Sequence, residues 1–155
     1  MFRRCTLMLA IAVSACATPV VDARDLEVIE KGFGTYLQKG DKDLVLLEAS
    51  DSVKCELGVS FGAQVALQFE AKRRVVVPIQ GVWIEPATPG VQDQTKEIFP
   101  QPLQIAKGDY DLGFETLVVF ETPEDLVPGD YTLRFFDPRG DRVYYERTFH
   151  VTGCP

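Results

Sequence analysis

The chain has 155 residues, 46% of them hydrophobic and 25% charged, and its 23 Asp plus Glu against 16 Lys plus Arg give a net charge of −7. That balance excludes a basic nucleic-acid reader, which needs a cationic excess to displace counterions from phosphates. The apolar content excludes an intrinsically disordered chain, and the length suits a single folded domain.

Residues 1–15 read as a lipoprotein-type signal peptide. Met-Phe-Arg-Arg opens the chain, and Cys5 to Ala15 is uncharged and mostly apolar, the charge pattern of an export segment. The run is too short for a permanent span, which takes about 20 residues to cross roughly 30 Å of hydrocarbon. At its end, Val13-Ser14-Ala15-Cys16 resembles the processing box of bacterial lipoproteins. The resemblance implies cleavage before Cys16 and conversion of its thiol to a lipid thioether, with residues 16–25 as lipidated N-terminus and tether. Ordinary signal-peptide cleavage near Ala15 or Ala17 is the competing expectation. Ala17 and Thr18 lack an acidic retention signal, so the resemblance implies a cell-envelope location, at the outer membrane in a host with two membranes. Each acyl methylene buried adds about 0.8 kcal/mol to that attachment. Processing would also remove Arg3 and Arg4, leaving the remainder still more acidic.

With Cys16 committed to lipid, Cys55 and Cys154 remain as an even pair in an oxidising compartment, so a disulfide between them is expected. Closing a loop of 99 positions is worth about 4 to 5 kcal/mol in chain entropy.

Residues 26–155 form the expected domain. From Leu26 to Leu37 the pattern fits a helix through Leu26, Ile29, Phe33 and Leu37, or an irregular strand through Val28, Ile29, Phe33 and Tyr36. Gly32 and Gly34 favour the strand, since each interior glycine weakens a helix by roughly 0.5 to 1 kcal/mol. Lys39-Gly40-Asp41 supplies a turn before the apolar segment Leu44 to Leu47. Val65, Leu67 and Phe69 alternate with less apolar neighbours and predict a half-buried strand. Lys72-Arg73-Arg74 reads as a charged hairpin turn or sheet edge, followed by Val75 to Ile84 with Pro78 and Gly81 as interruptions. Trp83 is expected in the core.

Residues 85–90 form a loop, Pro100 and Pro102 mark another before Leu103 and Ile105, and Lys107-Gly108-Asp109 predicts a turn into Tyr110 to Phe120. Within that segment Leu117 to Phe120 is expected to be buried on both faces. Pro123 to Val127 suits one helical turn, with Glu124 and Asp125 at its positive end, closed by Pro128-Gly129. The strongest pattern is C-terminal. Tyr131, Leu133 and Phe135 share one parity, as do Val143, Tyr145, Phe149 and Val151 beyond the turn Asp137-Pro138-Arg139-Gly140. This predicts an antiparallel hairpin with Thr132, Arg134, Glu146, Thr148 and His150 facing outward, while Phe136 and Tyr144 break the pattern. About seven strands without a long helix make the fold all-β: a single immunoglobulin-like or related β-sandwich, with a small β-barrel as the other architecture.

Gly34-Thr35-Tyr36, Phe61-Gly62, Gly81-Val82-Trp83 and Leu126-Val127-Pro128-Gly129-Asp130-Tyr131-Thr132-Leu133, with Phe149 near the end, resemble the uncharacterised bacterial family called domain of unknown function 3859. The likeness spans most of residues 28–151 and implies a secreted, β-rich domain with no catalytic residues to carry over. Asp130-Tyr131 departs from the aromatic expected directly after the Pro-Gly turn.

Chemistry-bearing patterns are sparse. His150 reads as a solvent-facing strand residue rather than a general base, because no nucleophile accompanies it. There is no Walker loop, dinucleotide-binding glycine series or serine elbow. The pairs Asp41 and Asp43, Asp109 and Asp111, and Asp137 and Asp141 flank turns. Calcium is the one cofactor they suggest, with Asp109 and Asp111 the candidate cation ligands, although no EF-hand spacing is present. Three functions remain. The leading one is a non-enzymatic lipoprotein that contacts the membrane through its lipid and binds an envelope protein or polymer, with Arg134, Tyr144 and Glu146 as contact residues. The others are a metal-assisted hydrolase built on Asp109 and Asp111 and a purely structural envelope protein.

Overall fold

The computed structural model describes residues 26–39, 43–71, 75–88, 90, 94–98, 103–105, 108–140 and 142–154. The expected export segment and tether with Cys16, and Asp41, Lys72-Arg73-Arg74, Pro100, Pro102 and Asp141, lie outside the described residues. Gly32 and Gly34 settle the first segment as a strand, β1 (Glu27–Lys39), which folds back as β2 (Asp43–Glu48). Gly34 has φ +137°, and a Cβ there would lie 1.9 Å from the Glu48 carbonyl oxygen. Only glycine combines that conformation with so close a backbone approach.

After β2 the chain passes through β3 (Ser52–Lys54) into β4 (Ser60–Ala71), β5 (Val75–Val77) and β6 (Gln80–Ile84). The strands β7 (Thr95–Glu97), β8 (Leu103–Ile105) and β9 (Gly108–Val119) precede a single 3-10 turn at Pro123–Asp125, and β10 (Gly129–Phe136) and β11 (Val143–Thr152) end the domain. One sheet has the order β2-β1-β4-β9 and the other β3-β11-β10-β6-β7, while β5 and β8 form a separate ribbon. Strand β3 runs parallel to β11 and the other ladders are antiparallel. Among the described residues neither large sheet closes on itself or joins the other, so the sandwich holds rather than the barrel alternative.

Alternation explains the packing. Phe61, on the inner face of β4, lies 5.3 to 6.2 Å by ring centroid from Trp83, Tyr131 and Phe149 of the facing sheet and from Phe120, just past β9. Such edge and tilted contacts add about 0.5 to 1.5 kcal/mol per pair beyond area burial. Trp83 is a core residue as its sequence context implies, and its indole N–H donates across the sandwich to the Thr116 hydroxyl at 2.8 Å. At the start of β10 the Tyr131 hydroxyl donates to the Val127 carbonyl at 3.1 Å, the tyrosine-corner device that holds the crossing between immunoglobulin-like sheets. Burial, and then the nearby Glu85 and Asp125 carboxylates, push that hydroxyl up to about 12.

Three local expectations change. Gly108 and Asp109 already belong to β9, opposite Ala71 and Glu70, rather than to a turn. Leu117 pairs with Gly62 and Val119 with Ser60 on the outer face, where Val119 stays exposed, so that stretch is buried on one face only. Finally, the ladder slips by one residue where Phe135 opposes Tyr145 but Phe136 opposes Val143. That bulge turns Val143 outward and exposed and Tyr144 towards the core.

Candidate functional site

A sheet edge displays unpaired N–H and C=O groups, and soluble proteins blunt it with charge, short length or cover. Three of the four edges of the large sheets follow that rule. Strand β7 is the exposed run Thr95-Lys96-Glu97, β3 is three residues long, and β9 presents Asp111 and Glu115 to solvent. Among the described residues the fourth edge, β2, does not. Val45 is 40% exposed, Leu46 42% and Leu47 61%, and Leu37, opposite Val45 on β1, is 47% exposed. The cause is local: the β1–β2 register shifts between Thr35 opposite Glu48 and Tyr36 opposite Leu46, which leaves Leu47 without a partner on β1. The segment Leu44 to Leu47 was legible as apolar, but its place at an open edge was not.

The expected contact residues separate. Arg134 and Glu146 face each other across β10 and β11 as an ion pair on the outer face. They belong to a row of matched polar pairs with Thr132 and Thr148, 3.0 Å apart, and Asp130 and His150, 2.7 Å apart. The hydrogen bond to Asp130 raises the exposed His150 imidazole above its ordinary value. Tyr144 does not join them. The bulge places it beside Leu26, Val28 and Ile29, packed on the core, with a buried hydroxyl that finds no partner among the described residues.

A cluster that the parity argument passed over joins the two sheets. Glu30 on β1 accepts two-pronged bonds from Arg147 on β11 at 2.8 to 3.0 Å and a bond from the Tyr145 hydroxyl at 2.6 Å. The guanidinium stacks over Phe33 at 3.8 Å. The signal was present: Arg147 shares the inward parity of Tyr145 and Phe149, where an unpaired charge is too costly to persist. Burial, and then the bond to Glu30, push the Tyr145 hydroxyl upward. This cluster is saturated and reads as an inter-sheet clasp.

Cys55 and Cys154 form the expected disulfide, with Cα atoms 4.8 Å apart. The parallel β3–β11 pairing brings them together, Cys55 N–H donating to the Thr152 carbonyl at 3.0 Å. Of the candidate carboxylates, only the side chains of Asp111 and Asp137 are among the described residues, and these two stand apart in separate interactions. Asp111 is exposed on β9 with the Lys31 ammonium at 4.0 Å, and the side chain of Asp109, like that of Asp43, lies outside the described residues. Asp137 is buried and engaged by the Arg139 guanidinium and backbone, which hold its carboxyl below the usual range. Asp125 is likewise held low by bonds from Thr122 and Glu121. Among the described residues no three His, Cys, Asp or Glu side chains form a set able to hold a metal ion.

Neither a family model nor a characterised protein sequence matches the chain. Solved structures do. An immunoglobulin-like protein from Pseudomonas aeruginosa superposes with a TM-score of 0.51 at 17% identity, covering 81% of this chain and 97% of its own. A β-glucosidase from Listeria innocua gives 0.47 at 9% identity, with 83% of this chain and 16% of the enzyme aligned. One from Bifidobacterium adolescentis gives 0.41 at 6%, covering 81% and 17%. The first of these likenesses and the sheet topology agree: the chain folds as an all-β, immunoglobulin-like sandwich.

Proposed function

We propose that this chain is a non-enzymatic envelope lipoprotein whose sandwich binds a protein partner while lipid on Cys16 holds it at a membrane, the outer one in a two-membrane host. The observation that carries the binding reading is the unblunted edge β2, with Val45, Leu46 and Leu47 exposed together. Exposed apolar edges invite strand pairing, and selection against aggregation tolerates one most readily where a partner covers it. Tethering then raises the local concentration of the domain at the membrane.

The test is reversible cross-linking of the lipidated protein in its native envelope, followed by purification and intact-mass analysis. The expected result is a lipid-modified terminus at Cys16 and one reproducible envelope component. Recovery of that component should fall at least tenfold in a Leu46→Asp, Leu47→Asp variant that unfolds at the same temperature as the parent. An unmodified terminus defeats the anchoring half of the proposal. Failure to recover any component defeats the binding half and leaves a structural role.

A further inference from the structure

We propose that β2 is a strand-addition site for an extended partner segment that is apolar in its middle and carries Lys or Arg at its ends. The inference rests on the binding reading above and names its site and the chemistry of its partner. Strand β2 is hydrogen-bonded to β1 along one side and ends its sheet on the other, and among the described residues no strand pairs with that outer side, so an incoming backbone finds a row of donors and acceptors there. It offers side chains on both faces. Val45 shares a face with Leu37, and Leu46 shares the opposite face with Tyr36, so the added strand meets apolar surface whichever way its residues alternate.

Three occupants suit an apolar edge, and charge and distance separate them. A second copy aligned antiparallel along the whole of β2 sets Asp43 opposite Glu48 at both ends of the pairing, and like charges directly opposite are unfavourable. Each copy is also acidic, with a net charge of −7 over the full sequence that becomes more negative once Arg3 and Arg4 are removed. On the anchoring reading the bilayer lies on the side of Leu26, the first described residue, next to the start of β1, while Leu37 lies near the far end of that strand. At about 3.3 Å per strand residue the apolar end stands roughly 36 Å from Leu26. A partner segment with cationic ends meets neither obstacle: Glu48 is exposed at the end of the strand and the acidic domain attracts it from a distance.

The probes are two labelled synthetic peptides that share an alternating valine and leucine core, one with lysines at both ends and one with glutamates. Each is titrated into the lipidated full chain in nanodiscs, with empty nanodiscs as control, and hydrogen exchange is followed across the domain. The lysine peptide should slow exchange over residues 43–48 and bind at least tenfold tighter than the glutamate peptide at low salt, a gap that closes as salt is raised. N-methylating alternate residues of the lysine peptide, which blocks pairing without altering the protein, should abolish the effect. Equal binding of the two peptides, or binding that survives N-methylation, overturns the proposal. So does β2 protection that grows with protein concentration alone, which marks a second copy, or protection by the bilayer without peptide. If an envelope component is still captured while both peptides leave β2 unchanged, the binding reading stands and this site falls. If nothing is captured, the binding reading itself fails.

Discussion

Replacing Arg147 by methionine keeps the aliphatic stem and removes the guanidinium from the clasp between the sheets. Among the described residues Glu30 then retains only the Tyr145 hydroxyl as a partner, and Phe33 loses the cation stacked on its face. Removing one member of a fully buried pair costs about 3 to 5 kcal/mol. Here the side chains keep 28% and 24% of their exposure, so water compensates part of the orphaned charge and the expected loss is about 2 kcal/mol. The stacked cation adds about 0.5 to 1 kcal/mol. Together these predict a fall in Tm of roughly 5 to 10 °C for a domain of this length. The assay is urea unfolding with the disulfide intact, followed by near-ultraviolet circular dichroism, with an unchanged slope required. Adding Glu30→Leu removes the stranded carboxylate and should recover more than half of the loss. A decrease below about 0.5 kcal/mol, the scale of an exposed pair, or a double variant that merely sums the two single losses, would refute the reasoning.

Opening the Cys55–Cys154 bridge, by reductant or by replacing both cysteines with serine, is expected to cost about 4 to 5 kcal/mol in urea unfolding; no change in midpoint would mean that the open chain is equally constrained. Gly34→Ala drives a Cβ into the Glu48 carbonyl and should destabilise the domain by about 3 kcal/mol or more, whereas Gly140→Ala, with open space at its Cβ position, should unfold close to the parent. Trp83→Phe strands the Thr116 hydroxyl and is expected to cost about 2 to 3 kcal/mol, partly restored by adding Thr116→Val. Proton NMR should find His150 titrating above its ordinary value near 6.5, with Asp130→Asn moving the midpoint down. Because the folded value is raised, whatever the pair contributes to stability is present below pH 6.5 and disappears as pH rises through the folded midpoint.

Alternation by itself determined the class of this protein. Period-2 runs at Val65 to Phe69 and Tyr131 to Phe135, and turns at Asp137 to Gly140, leave little except paired strands with one face buried, because a residue's side of a strand follows from its parity. Cysteine count and the export pattern likewise identified which two thiols would pair. Tertiary structure decided what parity cannot carry. A single slipped residue sent Tyr144 inward and Val143 outward, and nothing in the neighbouring side chains announces a slip whose energy depends on the partner strand. Arg147 is acceptable on an inward position only because Glu30, far away in the chain, arrives on the facing sheet. The same holds for β2: apolar residues are visible in the sequence, but whether they are core or open edge depends on which strand lies last in the sheet, and that order comes from long-range pairing rather than from local chemistry.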